Sequence, residues 1–405
     1  MSSLSLQNII NKRFALRALL ANEAYHMSET SVPKTELTEE KEPNIRETLK
    51  AIAAKIVESP DSILLDTYDL AERRKDWAAL QKKEVLSEGQ ILSIDTRSRS
   101  GHKILDHHMR HFFDVKNWCG VSVRSLVNQE QMEKALLANL SMHSTPYKSE
   151  LRRMLTMTAG LGNVTKYRTI TSKAIVEFFQ AKRIVDPCTG WGGRLLGTLA
   201  AGDTKYVGCE PDPKTAEALR QILADPAISA TIRARGQIIE KPAEVALLEI
   251  AQMPKFDMIL TSPPYFNLEI YTAGEQSISK WPTWDLWISE WYKPLILGYL
   301  TCLKEGGVSC WSVKNFKTDK KYPLADVTKK IHKDAGWDLI KTVVMTGSAR
   351  PGGKRIGRGD VLFQTGSKHL SKLNIIVLAS LSNKTRSNNE LFHVLSHSDC
   401  HPQLR

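Results

Sequence analysis

A run of six residues, Thr261–Phe266, combines two hydrogen-bond acceptors with an aromatic side chain. Pro263 and Pro264 fix the backbone and remove two hydrogen-bond donors, so the carbonyl of Pro263 becomes a rigid acceptor. Ser262 adds a second acceptor, and Tyr265 adds a flat aromatic face. The alternative interpretation is a rigid turn that only ends a strand.

A glycine-rich loop, Asp186–Arg194, precedes this run and suits a bound ligand. It follows the apolar stretch Arg183–Val185 and leads into a helical stretch, and glycines in such a turn let the backbone approach a ligand closely. Its spacing matches neither the GxGxxG of dinucleotide sites nor a P-loop. Asp186 is suited to bind an amino group or a water beside the ligand. Glu210, 24 residues further on, ends the next strand, where an acid accepts hydrogen bonds from a ribose hydroxyl pair. These features predict a nucleoside-bearing ligand; the alternative is a tight structural turn with a surface glutamate.

The two motifs, in this order, resemble those of the S-adenosylmethionine-dependent amino-methyltransferases of DNA. Asp-Pro-x-x-Gly-x-Gly-Gly begins at Asp186, and Thr-Ser-Pro-Pro-Tyr follows about 75 residues later. This family methylates exocyclic amines, N4 of cytosine or N6 of adenine, and the Thr-Ser-Pro-Pro-Tyr form is typical of its cytosine N4 members. The stretches Phe-Asn-Leu-Glu-Ile-Tyr and Lys-Trp-Pro-Thr are similar to phage and restriction-modification members. The resemblance covers roughly residues 165–366, about half of the chain. RNA guanine N2-methyltransferases have a similar pair of loops.

The resemblance implies S-adenosylmethionine as cofactor and assigns roles to particular residues. The residues expected to bind the cofactor are Asp186, Pro187, Thr189, Gly190, Gly192, Glu210 and Tyr167. Those expected to carry catalysis are Ser262, Pro263, Pro264 and Tyr265, and those expected to touch the substrate begin with Phe266 and Trp281. Tyr265 is expected to stack on the target base after it leaves the helix. Methyl transfer is then a direct displacement without a covalent enzyme intermediate. The cysteine-dependent route to 5-methylcytosine is discounted, because Pro187-Cys188 lies inside the cofactor loop.

Charge and composition favour a polyanionic partner. The 405 residues include 56 basic and 44 acidic side chains, a formal net charge of +12, and basic side chains that neutralise phosphates release counterions. The sequence has no apolar run of about 18 residues, so neither a membrane span nor a membrane partner is expected. Six scattered cysteines without a CxxC argue against disulfides and a cysteine metal site, so we expect no metal and a reducing, cytoplasmic location. The N-terminal 27 residues have features of a mitochondrial transit peptide, but an amphipathic helix is the favoured interpretation.

The elements that must position both motifs follow an alternating pattern from about residue 165. Short apolar stretches alternate with helical ones, which predicts an α/β fold with a doubly wound, mainly parallel, seven-stranded Rossmann-like sheet. The predicted strands are Arg183–Val185, Tyr206–Cys209, Gln237–Ile239, Phe256–Leu260, Gly307–Val313, Leu339–Met345 and Val361–Phe363. We divide the chain into an N-terminal segment and linker (1–43), a mostly helical module (44–150), a methyltransferase domain (151–366) and a C-terminal extension (367–405). The apolar face of the first helix of the module comprises Ile45, Leu49, Ile52 and Ile56.

Recognition of DNA is assigned to regions outside the two motifs, because the gap between them is filled by strand–helix units. The helical module is favoured, since it includes the basic region 97–124. The glycine-rich loop 348–358 carries four cations, Arg350, Lys354, Arg355 and Arg358. Two interpretations of this loop remain open: that it contacts phosphates, or that it is a flexible loop in solvent. Trp287 and Trp291 are predicted to pack in the core, whereas Trp281 is placed at a substrate edge. The histidines of 102–111 are interpreted as part of a polar or DNA-facing helix rather than a metal site.

Three functions remain open from the sequence. The favoured one is methylation of an exocyclic amine in double-stranded DNA with a flipped target base, cytosine N4 ahead of adenine N6. The second is methylation of an RNA base. The third belongs to another class: a nucleic-acid-binding protein that keeps the fold without turnover, against which the intact Ser-Pro-Pro-Tyr run argues.

Overall fold

A sheet of short, mostly buried strands occupies the second half of the chain. The computed structural model describes residues 42–84, 98–141, 147–161, 164–345 and 373–380. Its strands are β1 (Lys116–Asn117), β2 (Arg183–Asp186), β3 (Lys205–Cys209), β4 (Gly236–Ile239), β5 (Phe256–Thr261), β6 (Glu269–Ile270), β7 (Leu303–Val313), β8 (Phe316–Lys317), β9 (Lys321–Tyr322), β10 (Trp337–Met345) and β11 (Leu373–Ser380).

Some of the helices cover this sheet, and others form a second unit. They are α1 (Glu42–Glu58), α2 (Asp61–Leu64), α3 (Leu70–Lys82), α4 (His102–His108), α5 (Gln129–Ser141), α6 (Lys148–Thr158), α7 (Thr169–Phe178), α8 (Gly193–Ala200), α9 (Pro213–Ala224), α10 (Ala230–Arg233), α11 (Ala243–Ile250), α12 (Ser277–Lys280), α13 (Trp284–Leu286), α14 (Lys293–Leu300) and α15 (Leu324–Asp334). A π-helical turn, Trp287–Tyr292, joins α13 to α14. None of the helices in the described ranges is long and apolar enough to cross a lipid bilayer.

The main sheet has the order β10-β11-β7-β5-β2-β3-β4. From β4 to β7 all neighbouring strands are parallel, whereas β11 is antiparallel to both β7 and β10. The chain runs from β2 outward to β4 and then returns to β5, on the other side of β2. The order therefore reverses between β2 and β5, and open α/β sheets bind ligands at the carboxyl ends of their strands beside such a reversal. The predicted α/β, doubly wound class is confirmed.

Helices cover both faces of the sheet because alternate strand residues point to opposite sides. Ile184 and Met258 pack with α3, α4, α7, α8 and α9 on one face. Val185 and Ile259 pack on the other face with α11, the π-helical turn, α14 and α15. The strands that lie between two helical layers read as continuous apolar runs, which is why the sequence pattern located them.

The last strand corrects one prediction. The stretch Val361–Phe363, proposed as the seventh strand, lies outside the described residues. The strand that pairs with β7 and β10 is β11, residues 373–380, within the segment assigned to the C-terminal extension. The run Leu373–Ser380 is the longer of the two apolar stretches, and it pairs with both neighbours, with one irregularity in its pairing with β10.

The helical unit is built from the described residues up to Thr67, from Arg110 to Thr165, and from Glu269 to Tyr271. Leu49, Ile52 and Ile56 of α1 are buried, as predicted, together with Met132, Leu136 and Leu151 of α5 and α6. Arg152 ties α6 to the end of α2, because it donates to the carbonyl of Ile63 at 2.7 Å and pairs with Asp66 at 2.7 Å.

Helices α3 and α4 belong to the sheet unit, which comprises residues 68–109, 166–268 and 272 onward. Their Trp77, Leu80, Ile104 and Leu105 pack into the same cluster as Ile184 of β2. The compact units thus do not follow the predicted boundary at residue 150, and the role of residues 44–150 in recognising DNA stays a prediction.

Candidate functional site

The glycine-rich loop lies at the carboxyl end of β2 and leads into α8. Gly190 and Gly192 have φ values of +56° and +78°, in the left-handed region that favours glycine. A Cβ on Gly190 meets no atom within 4 Å, so the loop leaves open space there. At Gly193 a Cβ would come well inside 3.0 Å of the Tyr167 carbonyl oxygen. The glycines therefore serve two purposes: access for a ligand at Gly190 and close packing against Tyr167 at Gly193.

A buried ion pair holds this loop in place. The Asp186 carboxylate is fully buried and accepts from Arg194 Nε at 2.7 Å and from Tyr206 Oη at 2.6 Å, both at Oδ2. Arg194 also donates to the carbonyls of Cys188 and Thr189. Burial acts to lower the pKa of Arg194, but the attraction of Asp186 outweighs it and the pKa is raised. The guanidinium thus cancels the charge of Asp186 and fixes the loop backbone.

These contacts bear on the predicted role of Asp186 as a ligand-binding residue. Its Oδ1 accepts from the backbone N–H of Cys188 at 3.1 Å, so both oxygens already have partners beneath the loop. Pro187, Thr189 and Gly192 are also buried, whereas Gly190 is half-buried. Direct contact of Asp186 with a ligand stays a prediction, and what the structure shows is support of the loop from below.

Glu210 lies at the carboxyl end of β3, next to Gly190. Its Oε2 accepts from the N–H of Gly190 at 3.0 Å, and its Oε1 accepts from the N–H of Asp212 at 3.1 Å. Burial raises the pKa of Glu210 to about 7, against the effect of these two hydrogen bonds. Among the described residues no cation pairs with Glu210, so its carboxylate keeps lone pairs for further donors. Two hydroxyl groups on a ligand would satisfy them and favour the charged form.

Tyr167 joins the two motifs. Its carbonyl packs against Gly193, its ring lies against the Arg194 guanidinium at 5.1 Å, and its hydroxyl is 3.0 Å from Ser312 Oγ. Ser312 is near the carboxyl end of β7, beside the end of β5. The predicted cofactor residue Tyr167 is therefore placed between the glycine-rich loop and the strand ends that carry the Ser-Pro-Pro-Tyr run.

The Ser262 hydroxyl has a defined direction. Its Oγ donates to the carbonyl of Ser312 at 3.0 Å, and Tyr265 Oη donates to the same carbonyl at 3.0 Å. Because the single hydroxyl hydrogen is committed to Ser312, the lone pairs of Ser262 Oγ remain for an incoming N–H. Ser262 and Pro264 are half-buried, whereas Pro263 is buried. The geometry thus leaves the lone pairs of Ser262 Oγ available, and their acceptance of a substrate N–H stays a prediction.

Two predicted aromatic contacts are placed differently. Tyr265 is 9% exposed, and its ring stacks on Phe316 with centroids 5.9 Å apart, so stacking on a base would require these two rings to separate. Phe266 is 5% exposed and packs against Trp284 and Trp287, which makes it a core residue here. Its φ of +44° turns the chain at this point and sends the side chain inward.

Some of the remaining predicted residues are buried or half-buried, and the others lie outside the described residues. Trp287 and Trp291 are buried, as predicted, and Trp281 is half-buried, with its ring 6.2 Å from that of Trp291. The four cations Arg350, Lys354, Arg355 and Arg358 lie outside the described residues. In the part of the chain that the structure describes, no three His, Cys, Asp or Glu side chains converge as metal ligands.

Sequence reasoning missed the partners that orient the site: Arg194, Tyr206 and Ser312. Arg194 carried a signal, because a cation in the first turn of a helix opposes the helix dipole and calls for an acid nearby. Tyr206 lies three residues before the end of β3 and carried none. Ser312 acts through its backbone carbonyl, which no residue type reveals.

Comparisons with known proteins are limited to solved structures. No family model and no curated protein matches the chain. Cofactor-bound Rv0187 from MTB is 16% identical, covering 62% of this chain and 90% of that one, with a TM-score of 0.33. TrmN from Thermus thermophilus is 18% identical, covering 53% and 49%, with a TM-score of 0.32. An O-methyltransferase from Bacillus cereus in complex with SAH is 13% identical, covering 62% and 91%, with a TM-score of 0.33. Values this low carry neither activity nor substrate over to this chain.

Proposed function

We propose that the chain is an S-adenosylmethionine-dependent methyltransferase that acts on an exocyclic amine of a nucleic-acid base. The observation that carries this proposal is the direction of the Ser262 hydroxyl: its hydrogen goes to the Ser312 carbonyl, so the oxygen is left as an acceptor. One further side chain, Tyr167, connects this acceptor with the glycine-rich loop. A ligand in the loop and an amine at Ser262 would then be neighbours.

The residues around the loop fit the proposed cofactor. Glu210 supplies a buried carboxylate for a ribose hydroxyl pair, and the space at Gly190 admits the ligand close to the backbone. The Asp186–Arg194 pair is neutral, so it would leave no net charge beneath the loop that holds the cofactor. When bound, the cofactor supplies a methyl group on a positively charged sulfur, which leaves as a thioether.

The chain's own contribution is to hold and activate the amine. Ser262 Oγ and the Pro263 carbonyl each accept one N–H, so the nitrogen lone pair is directed away from the ring. The nitrogen then forms the new bond to carbon, and one N–H proton is released to solvent after transfer. Because both acceptors are fixed before the substrate arrives, they need no reorganisation during reaction. The stiffness of the two prolines and the hydrogen bond to Ser312 provide that fixation.

The substrate class rests on charge and on the motif type. The net charge of +12 suits a polyanion, and the Thr-Ser-Pro-Pro-Tyr form favours cytosine N4 in double-stranded DNA through its resemblance to that group. Adenine N6 in DNA and an amine of an RNA base use the same acceptor geometry and are the alternatives. In each case the base must leave its stack to reach Ser262.

The experiment is methyl transfer from labelled cofactor to mixed-sequence duplex DNA and, in parallel, to structured RNA, followed by mass spectrometry of the nucleosides. We expect label in DNA as N4-methylcytosine. N6-methyladenine, or label only in RNA, would select one of the alternatives. Absence of label from every nucleic acid, with the cofactor bound, would reject the enzyme proposal and leave the non-catalytic binding protein.

A further inference from the structure

A short hairpin lies directly on the Ser-Pro-Pro-Tyr loop. Strands β8 and β9 pair as an antiparallel two-residue ladder, with Phe316 opposite Tyr322 and Lys317 opposite Lys321. On its inner side, Phe316 stacks on Tyr265, and the Tyr322 ring lies 5.4 Å from that of Phe266. The hairpin follows β7 at the carboxyl edge of the sheet, so it lies at the same edge as Ser262.

The single acid of the hairpin is turned toward the same loop. Asp319 accepts from Thr318 Oγ at 2.8 Å, from Tyr322 Oη at 2.9 Å and from Asn267 Nδ2 at 3.1 Å. These hydrogen bonds, from Thr318 first and then Tyr322, hold the pKa of Asp319 well below its usual range. Asn267 follows Tyr265 by two residues, so this network fastens the hairpin to the catalytic loop.

The outer side of the hairpin is strongly cationic. Residues 314–321 contain four lysines and one aspartate, a net charge of +3. Lys317, Lys320 and Lys321 are exposed, and Lys314 is half-buried. Among the described residues none of the four lysines forms an ion pair with an acid; Lys320 instead lies over the Tyr322 ring at 5.5 Å. Asp319, already counted in this net charge, hydrogen-bonds to Thr318, Tyr322 and Asn267 rather than to any of these lysines.

The register places two of these charges side by side. Lys317 and Lys321 are directly opposite each other, and like charges in opposed positions of a ladder destabilise it. An anion bound between them would remove this repulsion. Two opposed lysines lower the stability of the free protein, but they suit a protein that binds phosphates. Because the pair lies beside the Ser-Pro-Pro-Tyr loop, we expect those phosphates to belong to the substrate.

We propose that this lysine hairpin, residues 314–322, binds backbone phosphates of the nucleic-acid strand next to the target base. The inference rests on the proposed function and specifies how that site holds its substrate. Phosphate contacts position a nucleic acid and carry no sequence information, so the hairpin would set the distance of the strand from Ser262 rather than choose the sequence. The fastening through Asp319 and Asn267 would transmit that position to the loop.

The test is the salt dependence of binding of a fluorescein-labelled 20-base-pair duplex, measured by anisotropy between 50 and 300 mM KCl. Each phosphate contact contributes roughly 0.9 to the slope of log K against log salt. The double variant Lys317→Gln/Lys321→Gln should therefore lower the slope by about 1.8. Lys317→Arg/Lys321→Arg should keep the wild-type slope, because both charges remain.

A matched control uses two lysines at the opposite edge of the same sheet. Lys182 precedes β2 and Lys205 begins β3, and both are exposed. Lys182→Gln/Lys205→Gln removes the same charge, and its slope should stay within about 0.3 of wild type. Equal slopes for the two glutamine variants, or no effect of the hairpin variant, would overturn the inference.

Failure of the two proposals can be told apart. If wild type methylates the duplex but the hairpin variant keeps the full salt slope, the hairpin inference fails and the proposed function stands. If the duplex is bound with the expected slope change but never methylated, the hairpin inference stands and the proposed enzyme fails. A wild-type protein that does not bind the duplex or an RNA of equal length at 50 mM KCl would reject the hairpin inference.

Discussion

The substitution Arg194→Met tests whether the buried ion pair supports the cofactor loop. In the wild type, Arg194 Nε is 2.7 Å from Asp186 Oδ2, and both side chains are almost completely removed from solvent. Methionine fills a similar volume without a charge, so the change removes the guanidinium and leaves the Asp186 carboxylate buried without its cation. It also removes the donor to the carbonyls of Cys188 and Thr189.

The expected cost follows from desolvation. Removal of one partner from a buried ion pair typically costs about 3–5 kcal/mol, because the remaining charge is uncompensated. Tyr206 and the Cys188 N–H still donate to Asp186, so we expect the lower end, about 3 kcal/mol. Asp186→Asn in the same chain removes the stranded charge. The double variant should therefore recover about 2 kcal/mol, which is the coupling expected for groups in one network.

The assay is urea unfolding of the four proteins of this double-mutant cycle at pH 7, followed by circular dichroism and tryptophan fluorescence. Binding of SAH by calorimetry provides the second readout, and we expect Arg194→Met to weaken it at least tenfold because the loop carbonyls lose their donor. A cost below about 1 kcal/mol, or additive single effects in the double variant, would refute the assigned role of the pair.

Three further expectations concern other parts of the sheet unit. Glu210, with its pKa of about 7, should bind ligand hydroxyls as a carboxylate, so SAH affinity should rise about tenfold from pH 6 to pH 8. Calorimetry at the two pH values measures this rise. An equally steep rise in Glu210→Gln would contradict the prediction. Gly193→Ala forces a Cβ against the Tyr167 carbonyl and should lower the free energy of unfolding by about 1–3 kcal/mol. In the control Gly274→Ala, the nearest atom to the new Cβ is 3.6 Å away, so the loss should be much smaller. Equal urea midpoints for the two variants would exclude the proposed close packing. Burial lowers the pKa of His332 to about 4, so the unfolded chain, with a histidine pKa near 6.5, binds the proton first as pH falls. Stability should drop by about 2 kcal/mol from pH 7 to pH 5 through this residue, and urea midpoints that fall equally in His332→Gln would rule it out.

The strands of the parallel core were predictable because their local pattern is unambiguous. Phe256–Leu260 and Tyr206–Cys209 were placed within one residue of β5 and β3. Each is a short, largely apolar run between helical stretches, as expected for a strand buried on both faces. The position of Ser262 and Glu210 at the carboxyl edge then follows from parallel pairing alone. The candidate site could therefore be placed on the sheet without a structure.

The assignment of helices to units was not predictable from local pattern. An amphipathic helix shows that it has an apolar face, but the pattern does not say which neighbour covers that face. Helices α3 and α4 pack beside Ile184 and Leu195 of the sheet unit, although they precede α5 and α6 of the helical unit. The same reason hid the core packing of Phe266, whose partners Trp284 and Tyr322 are distant in sequence.

The orientation of the Ser262 hydroxyl also depends on distant contacts. Ser262 is 50 residues from Ser312, and only the parallel pairing of β5 with β7 brings them together. The residue type suggested an acceptor at this position, and the structure shows that the hydroxyl hydrogen is directed to the Ser312 carbonyl, which leaves the lone pairs of the oxygen available. The lysine hairpin was not predicted for a similar reason. Its charges become relevant to the site only through the contact of the hairpin with the Tyr265 loop.

The central claim is that Ser262 accepts an N–H of the substrate amine and takes no part in binding the cofactor. Single-turnover methyl transfer by Ser262→Ala, with SAH affinity measured on the same protein, tests this most directly. We expect the rate to fall by about 100-fold, the scale found when one fixed polar contact to a reacting group is removed, while SAH affinity stays within twofold of wild type. A rate close to wild type, or parallel losses of rate and affinity, would contradict the claim.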